Sequence, residues 1–569
     1  MISRQFIDNF IRLFKEKKYQ ELIDQSDIMT SIDERPSGLS NLIGLSKNLT
    51  SQPSKEYIIS SLDDFKDAYL KAKKEIFGVE ALCNLITIAS YNRNKFPELY
   101  DVIRNTEKLY LEAEKNFENN EKLLKAGYNL FKHLINQKKI TEILEKLIKN
   151  NTRSKVVRCN YAYNNNFSYF WDIKKYFEYS QDFKNFFPKF KCKKISEINY
   201  KDNKKIKLGF VSGNLCNNHS VTYFLKKTFK YIEKKKFEIF VFSFGNQKSS
   251  KIIDDINTNI DFNFDITSLD NQKVIELIQN KKINILIDLM GVTDADRIEI
   301  FNNRVSPIQI SWLGYCNTIG FDTIDHIIAD KNLIKEDEKQ YYSENILELP
   351  NIWNTHSGFD FERNFNEAPC IQNGYITFGS FGNFRKISDE VIETWSNILK
   401  KIDNSKLLLK SSENYENTIL IDKFKKKGLE KRIKIYDRSE FSSLKDHLNL
   451  YKKLDIALDT FPYNGVTTTF EALWMGVPVI GIKGFNFNSR CGESILKNAN
   501  LKSFIASDKE NYVDKALYFS KNINLLEEER KKLFEEVVFS PIFNSKQFGI
   551  DFSKCMYELF KKNLSKNCL

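Results

Sequence analysis

The nine cysteines of this 569-residue chain include no Cys-x-x-Cys pair and no Cys/His ligand spacing, and their number is odd. Neither a zinc site nor a disulfide scaffold is expected from them. The chain also has no Gly-x-x-x-x-Gly-Lys-Ser/Thr loop and no Gly-x-Gly-x-x-Gly turn, which excludes two common glycine-rich phosphate loops. No stretch approaches the ~18 consecutive apolar residues of a membrane span. The first 18 residues mix acids and bases through a helical pattern and lack the apolar centre of a signal peptide, so a cytoplasmic location is expected. Charge of one sign is missing as well. The 87 basic and 75 acidic residues leave +12, spread over scattered lysines, and this argues against a nucleic-acid partner.

What is present is globular: 41% hydrophobic, 14% aromatic and 28% charged residues. At ~150 residues per domain the length suggests three or four domains. Up to about residue 200 apolar residues recur at three-to-four spacing, as in Phe65, Tyr69, Leu70 and Ala72, which predicts helices. Leu39-Ser-Asn-Leu-Ile-Gly44, Leu82-Cys-Asn-Leu-Ile86 and Gly127-Tyr-Asn-Leu-Phe131 repeat an x-Asn-Leu core at intervals of 43 and 45 residues, and Ser60 to Ala68 supplies a second-helix pattern between the first two. Stacked helix pairs give such a signature, with units longer than the 34 residues of a regular tetratricopeptide repeat. An ordinary helical bundle is the other reading. The polar, basic segment Lys189 to Lys205 suits a linker.

From Ile206 short β-branched or aromatic runs alternate with amphipathic stretches. Strands are expected at 207–211, 237–242, 283–289, 375–378, 407–409, 432–436, 456–459 and 477–481, and helices at 221–235, 387–400, 467–475 and 508–521. This alternation predicts parallel sheets covered on both faces. It breaks at about 345–373, so two doubly wound domains fit better than one very large sheet, with a ligand cleft at the carboxyl ends of the strands.

The stretch from Leu454 to Ile480 carries the chemistry. A buried strand ends at Asp459-Thr460, a Pro/Asn/Gly turn follows, and a helix opens at Thr467 and Thr468. Free amide N–H groups at a helix start, with hydroxyls beside them and a glycine allowing close approach, suit a phosphate. Taken alone, the segment is either such an anion site or a structural N-cap. Glu471, about one turn into the helix, is placed to accept hydrogen bonds from ribose hydroxyls.

Four blocks in order resemble the protein O-GlcNAc transferase family, including its bacterial and SPINDLY-like members. They are Val211-Ser-Gly with His219; Asp288-Leu-Met-Gly291 through Arg304-Val-Ser-Pro-Ile-Gln-Ile-Ser-Trp-Leu-Gly-Tyr315; Phe381-Gly-Asn-Phe-Arg-Lys-Ile387; and Asp446-His447 through Asp459-Thr-Phe-Pro-Tyr-Asn-Gly-Val-Thr-Thr468 to Ser489-Arg490. The resemblance implies an α/β GT-B glycosyltransferase, two doubly wound Rossmann-like domains preceded by an all-α, TPR-like helical-repeat region. It implies a UDP-sugar donor, inversion at the anomeric carbon, and no metal or other cofactor. Carried over, Lys386 pairs with the donor diphosphate, His447 lies against uracil, Thr467 and Thr468 hold the phosphates, Glu471 holds the ribose, Asn383 bears on the sugar, and His219 sits near the reacting sugar and acceptor. His219 is then an acceptor-side base or a positioning residue, and positioning is the favoured role.

The chain departs from the family in several places. Gly213 to His219 is one residue longer than the common pattern and lacks its Asp and Arg, Val466 stands where animal members have histidine, and Asn383 stands where they have glutamine. The expected layout is TPR-like repeats over 1–160, a helical linker over 161–204, an acceptor-side Rossmann-like lobe over 205–365, a UDP-sugar-binding Rossmann-like lobe over 366–540 and a C-terminal helix over 541–569. The expected activity is transfer of a sugar, N-acetylglucosamine foremost, from UDP to Ser/Thr of a polypeptide acceptor; a homo-oligomer stays open. The alternatives are transfer of glucose or fucose, transfer to a small molecule or glycan, and a silent TPR adaptor whose GT-B lobes only bind nucleotide.

Overall fold

The computed structural model describes residues 4–29, 32, 35–169, 171–198, 204–215, 219–245, 250–411 and 414–566. The chain forms two compact units, Met1–Thr152 with Ser412–Asp422, and Arg153–Ser411 with Lys423–Leu569. Among the described residues no helix is long and apolar enough to cross a membrane.

The first unit is built of antiparallel helix pairs. Ser37–Leu49 pairs with Lys55–Lys71, Ile76–Asn92 with Leu99–Asn116, and Glu121–His133 with Gln137–Lys149. Each x-Asn-Leu core falls within the first helix of a pair, so the faint sequence repeat marks equivalent places. Asn84 Nδ2 donates to Asn41 Oδ1 at 3.0 Å between successive first helices. Local chemistry sets the boundaries: Ser54, Asn120 and Asn136 accept the N–H of Tyr57, Leu123 and Lys139 as N-caps. Glycine sets one close approach, since a Cβ at Gly127 would lie 2.3 Å from the Tyr110 ring.

Among the described residues the second unit holds thirteen strands in two all-parallel sheets. The first contains β1 (Ile206–Ser212), β2 (Phe237–Ser243), β3 (Phe262–Asp265), β4 (Ile285–Asp288), β5 (Ile308–Ser311), β6 (His326–Asp330) and β7 (Asn345–Leu349), in the order β3-β2-β1-β4-β5-β6-β7. The second contains β8 (Thr377–Ser380), β9 (Lys406–Lys410), β10 (Ile433–Tyr436), β11 (Ile456–Leu458), β12 (Val479–Ile482) and β13 (Ile505–Ala506), in the order β10-β9-β8-β11-β12-β13. The order reverses between β1 and β4 in one sheet and between β8 and β11 in the other. In open α/β sheets a crevice opens at such a switch point beyond the carboxyl ends. Here those ends are Ser212, Asp288, Ser380 and Leu458.

Strands β3, β5, β6, β7 and β13 were not expected. β3 and β7 are edge strands; β3 buries none of its residues and β7 only Leu349, so neither carries a continuous apolar run. β13 has two residues.

The helices Lys155–Asn164 and Ile173–Phe183 pack into the first sheet's layer. Cys159, Ala162, Phe183 and Phe187 share one core cluster with Phe240, Phe242, Ile275 and Leu286. The segment expected as a linker is pinned to the helix Asn271–Asn280: Gln272 bonds both the N–H and the C=O of Lys191 at 3.0 and 2.8 Å, and Gln279 does the same for Lys193 at 3.0 and 2.9 Å. The C-terminal helix Ser545–Lys566 also returns to this lobe, with the Phe552 ring 5.1 Å from that of Trp312.

Burying Phe183 and Phe187 stabilises by about 3–5 kcal/mol each against truncation. A chain starting at Arg153 is therefore expected to melt in one cooperative transition, and a chain starting at Asp202 to lose it; calorimetry of the two separates them.

Candidate active site

The site grows from the turn after β11. The Asp459 carboxylate accepts the N–H of Thr460 at 2.8 Å and of Gly465 at 2.6 Å through the same oxygen, closing a loop over Thr460 to Gly465. The Thr460 hydroxyl donates to Tyr463 O at 2.8 Å, and Asn464 Oδ1 accepts Gly492 N–H at 3.1 Å. The helix Val466–Trp474 then starts with Gly465 at its N-cap, and no side chain caps it. Its first amides and the half-buried Thr467 and Thr468 thus meet the crevice at the positive end of the helix. Opposite, a Cβ on Gly382 would lie 3.9 Å from Thr468 Oγ1, so the loop after β8 faces this start.

That loop carries Lys386. Its ammonium donates to Asn464 O at 2.6 Å and sits 3.9 Å from the centre of the Tyr463 ring. The residue keeps some exposure, but the ammonium is enclosed, and burial pushes its pKa down to about 8 against the opposing charge of Asp459. Burial likewise raises Asp459 to about 6, offset by the Gly465 N–H and Lys386. Asn383 is exposed and caps the turn Phe384–Lys386, accepting Arg385 N–H at 2.9 Å.

His447, Glu471 and Tyr451 form the adjoining end. His447 Nε2 lies 3.1 Å from Glu471 Oε2, and the Tyr451 hydroxyl donates to that oxygen at 2.8 Å. Burial pushes Glu471 up, but His447, Tyr451 and Lys410 outweigh it and hold the carboxyl below its usual range. Lys410, the last residue of β9, was missed in the sequence. Its signal was positional: the first polar residue after the buried run Leu407-Leu-Leu409 of a parallel strand faces the crevice.

His219 lies in the other lobe, at the N-cap of the helix Ser220–Tyr231, where its Nδ1 accepts Val221 N–H at 3.3 Å. Burial lowers its pKa, which favours the neutral ring. With Nδ1 accepting, the proton is on Nε2, and the ring's remaining nitrogen is a donor rather than a base. The structure brings Lys386, Thr467 and Thr468 together around one turn, and His447 with Glu471 beside it; His219 and Asn383 make no hydrogen bond to either group. The helix behind His219 does reach the second lobe, with Phe224 and Phe470 rings 5.4 Å apart. Cys216 to Asn218, where the family register shifts, lie outside the described residues.

Other motif residues build the frame. Gln309 accepts Val305 N–H at 2.7 Å and donates to Thr323 O at 2.8 Å inside the first lobe. Arg490 grips both Glu338 oxygens at 2.5 and 2.6 Å across the lobes, and Ser494 donates to Asp330 at 2.8 Å. Asp294 and Asp296 are engaged elsewhere, Asp294 accepting Arg297 N–H at 2.7 Å and Asp296 pairing with Lys155 at 2.7 Å.

Two doubly wound parallel sheets whose switch points open on one crevice, with an uncapped helix start and an enclosed lysine at its edge, define the GT-B class of glycosyltransferase folds. The profile described as Glycosyl transferase family 41 matches residues 187–358 and 367–552, and the chain belongs to that family. It is 29% identical over 396 residues to a protein of Arabidopsis thaliana named probable UDP-N-acetylglucosamine–peptide N-acetylglucosaminyltransferase SPINDLY, covering 68% of this chain and 43% of the relative. The Oryza sativa subsp. japonica protein of the same name is 31% identical over 348 residues, covering 60% and 37%. The chain thus spans about two fifths of the length of these curated relatives. A solved Thermobaculum terrenum O-GlcNAc transferase variant shares the fold, with TM-score 0.73 and 21% identity over 95% of this chain and 100% of that one.

The Lys386 ionisation has a direct consequence. Above a pKa of about 8 the site loses its cation, so any affinity of the site for a diphosphate, probed with UDP, should fall as pH rises from 7 to 10, by up to tenfold per pH unit past the midpoint. Lys386→Arg, which stays charged, should flatten this dependence. Calorimetric titration at several pH values checks both, and an unchanged slope in the variant would assign the titration elsewhere.

Proposed function

We propose that this chain is an inverting, metal-independent transferase that moves a sugar, N-acetylglucosamine foremost, from UDP to serine or threonine hydroxyls of a polypeptide. The observation that carries the reading is the enclosed Lys386 ammonium beside the uncapped start of the helix Val466–Trp474. Departure of the UDP leaves negative charge on the β-phosphate. A fixed cation, two hydroxyls and helix-start amides stabilise that charge with little reorganisation. The names of the plant relatives, which specify UDP-N-acetylglucosamine and peptide, support the donor and acceptor classes.

His447 and Glu471 fit the base and ribose end of the nucleotide, one helical turn from the phosphates. The acceptor hydroxyl approaches from the first lobe, where His219 presents its Nε2–H. A donor there suits positioning of sugar or acceptor, and proton removal falls to another group. Metal independence rests on Lys386 taking the part a divalent ion plays elsewhere. The helix pairs of the first unit are assigned to the polypeptide acceptor.

Nucleotide release from a panel of UDP- and GDP-sugars tests the donor. UDP-N-acetylglucosamine should lead, and the rate should survive EDTA; preference for a GDP-sugar, or a loss reversed by manganese, would overturn the corresponding assignment. In the same assay a chain starting at Arg153 should hydrolyse the donor slowly and fail to modify polypeptide. Full transfer by that chain would remove the helix pairs from acceptor delivery.

A further inference from the structure

The position of the His447 proton follows from its neighbours. Its Nδ1 lies 2.9 Å from Lys410 Nζ, and its Nε2 lies 3.1 Å from Glu471 Oε2. A lysine ammonium has donors and no acceptor, so Nδ1 must accept. The imidazole proton is then on Nε2 and points at the carboxylate, whose same oxygen takes the Tyr451 hydroxyl at 2.8 Å. Donors therefore run in one direction from β9 through His447 to Glu471, and both bonds end on a single carboxylate oxygen. The other oxygen carries neither of them.

Lys410 gives the chain its direction. If the proton moved to Nδ1, the bare Nε2 would face a carboxylate oxygen at 3.1 Å, an acceptor against an acceptor, and the pair would separate. Lys410 is half-buried at the carboxyl end of its strand, with the Phe441 ring centre 5.9 Å from its ammonium. The charged groups acting on it are Glu471 from the helix Val466–Trp474 and Arg438 from the turn after β10. Tyr451 completes the set around Glu471.

We propose that Lys410 is a positioning residue of the nucleotide site, which fixes the His447 proton on Nε2 and thereby orients the Glu471 carboxylate toward a ribose diol. The tautomer part stands on the hydrogen bonds alone; the ribose part rests on the nucleotide reading above. A merely structural lysine would leave the tautomer unaffected.

The test is nitrogen NMR of the histidine side chains in the full chain, where only five histidines contribute and His447 is assigned by its loss in His447→Gln. In the unmodified protein His447 should be the Nε2–H tautomer; finding Nδ1–H there overturns the proposal without any Lys410 variant. Lys410→Met should yield a mixture of tautomers and weaken UDP binding about tenfold, the effect of one lost hydrogen bond to a charged group. Lys410→Arg should restore the single tautomer and most of the affinity. An unchanged tautomer in Lys410→Met overturns the proposal. A changed tautomer in a chain that never bound UDP upholds the role of Lys410 at His447 and overturns the nucleotide reading instead.

Discussion

An ammonium taken out of water is expensive to hold, and the second lobe is arranged around holding one. Lys386 sits against an aromatic face, one backbone carbonyl and the field of Asp459, which together only partly replace its hydration, so its pKa falls to about 8. On the proposed function, an incoming diphosphate supplies what is missing. The free protein thus carries an under-solvated cation next to open helix-start amides, a preorganised arrangement that is worth most once an anion arrives.

The same economy recurs at the strand ends. Asp288, Asp330 and Asp459 each follow or end a parallel strand, each is buried, and each is raised to about 6. Their oxygens fold the next loop back: Asp288 takes the N–H groups of Met290 and Gly291, Asp330 those of Asn332 and Trp353, Asp459 those of Thr460 and Gly465. A carboxylate facing several N–H groups shapes a tight turn without a glycine-rich consensus, and the turn proposed to hold the phosphates is built this way, without either familiar loop. Asp330 also binds Ser494 across the lobes, beside the Arg490–Glu338 pair, so the loops of the first lobe are bonded to the helix Phe487–Asn498 of the second.

Much of this was legible in the residues, for identifiable reasons. Central strands such as β1, β4 and β11 bury all or nearly all of their residues and read as apolar runs, whereas the edge strands β3 and β7 did not. The turn before Thr467 announced itself through Pro462, Asn464 and Gly465. The x-Asn-Leu repeat marked first helices because each occupies the same place in its pair. What the sequence hid were contacts between distant segments: Lys410 reaching His447 over 37 positions, Gln272 and Gln279 pinning the stretch read as a linker, and Arg490 reaching Glu338. Nothing in the local pattern of a lysine or glutamine reports a partner that far away. The family motifs were legible as motifs, but only the coordinates divide them into Lys386 at the crevice and Gln309 in the frame.

The central claim is that Lys386 carries the charge of the departing diphosphate, and the turnover of Lys386→Ala tests it most directly. The account predicts a fall on the order of 10² to 10³ in kcat, as for loss of one preorganised donor to a developing anion. The unfolding temperature should be nearly unchanged, because removing a poorly solvated cation is offset by leaving the buried Asp459 without that opposing charge. Turnover at the rate of the unmodified enzyme would contradict the account.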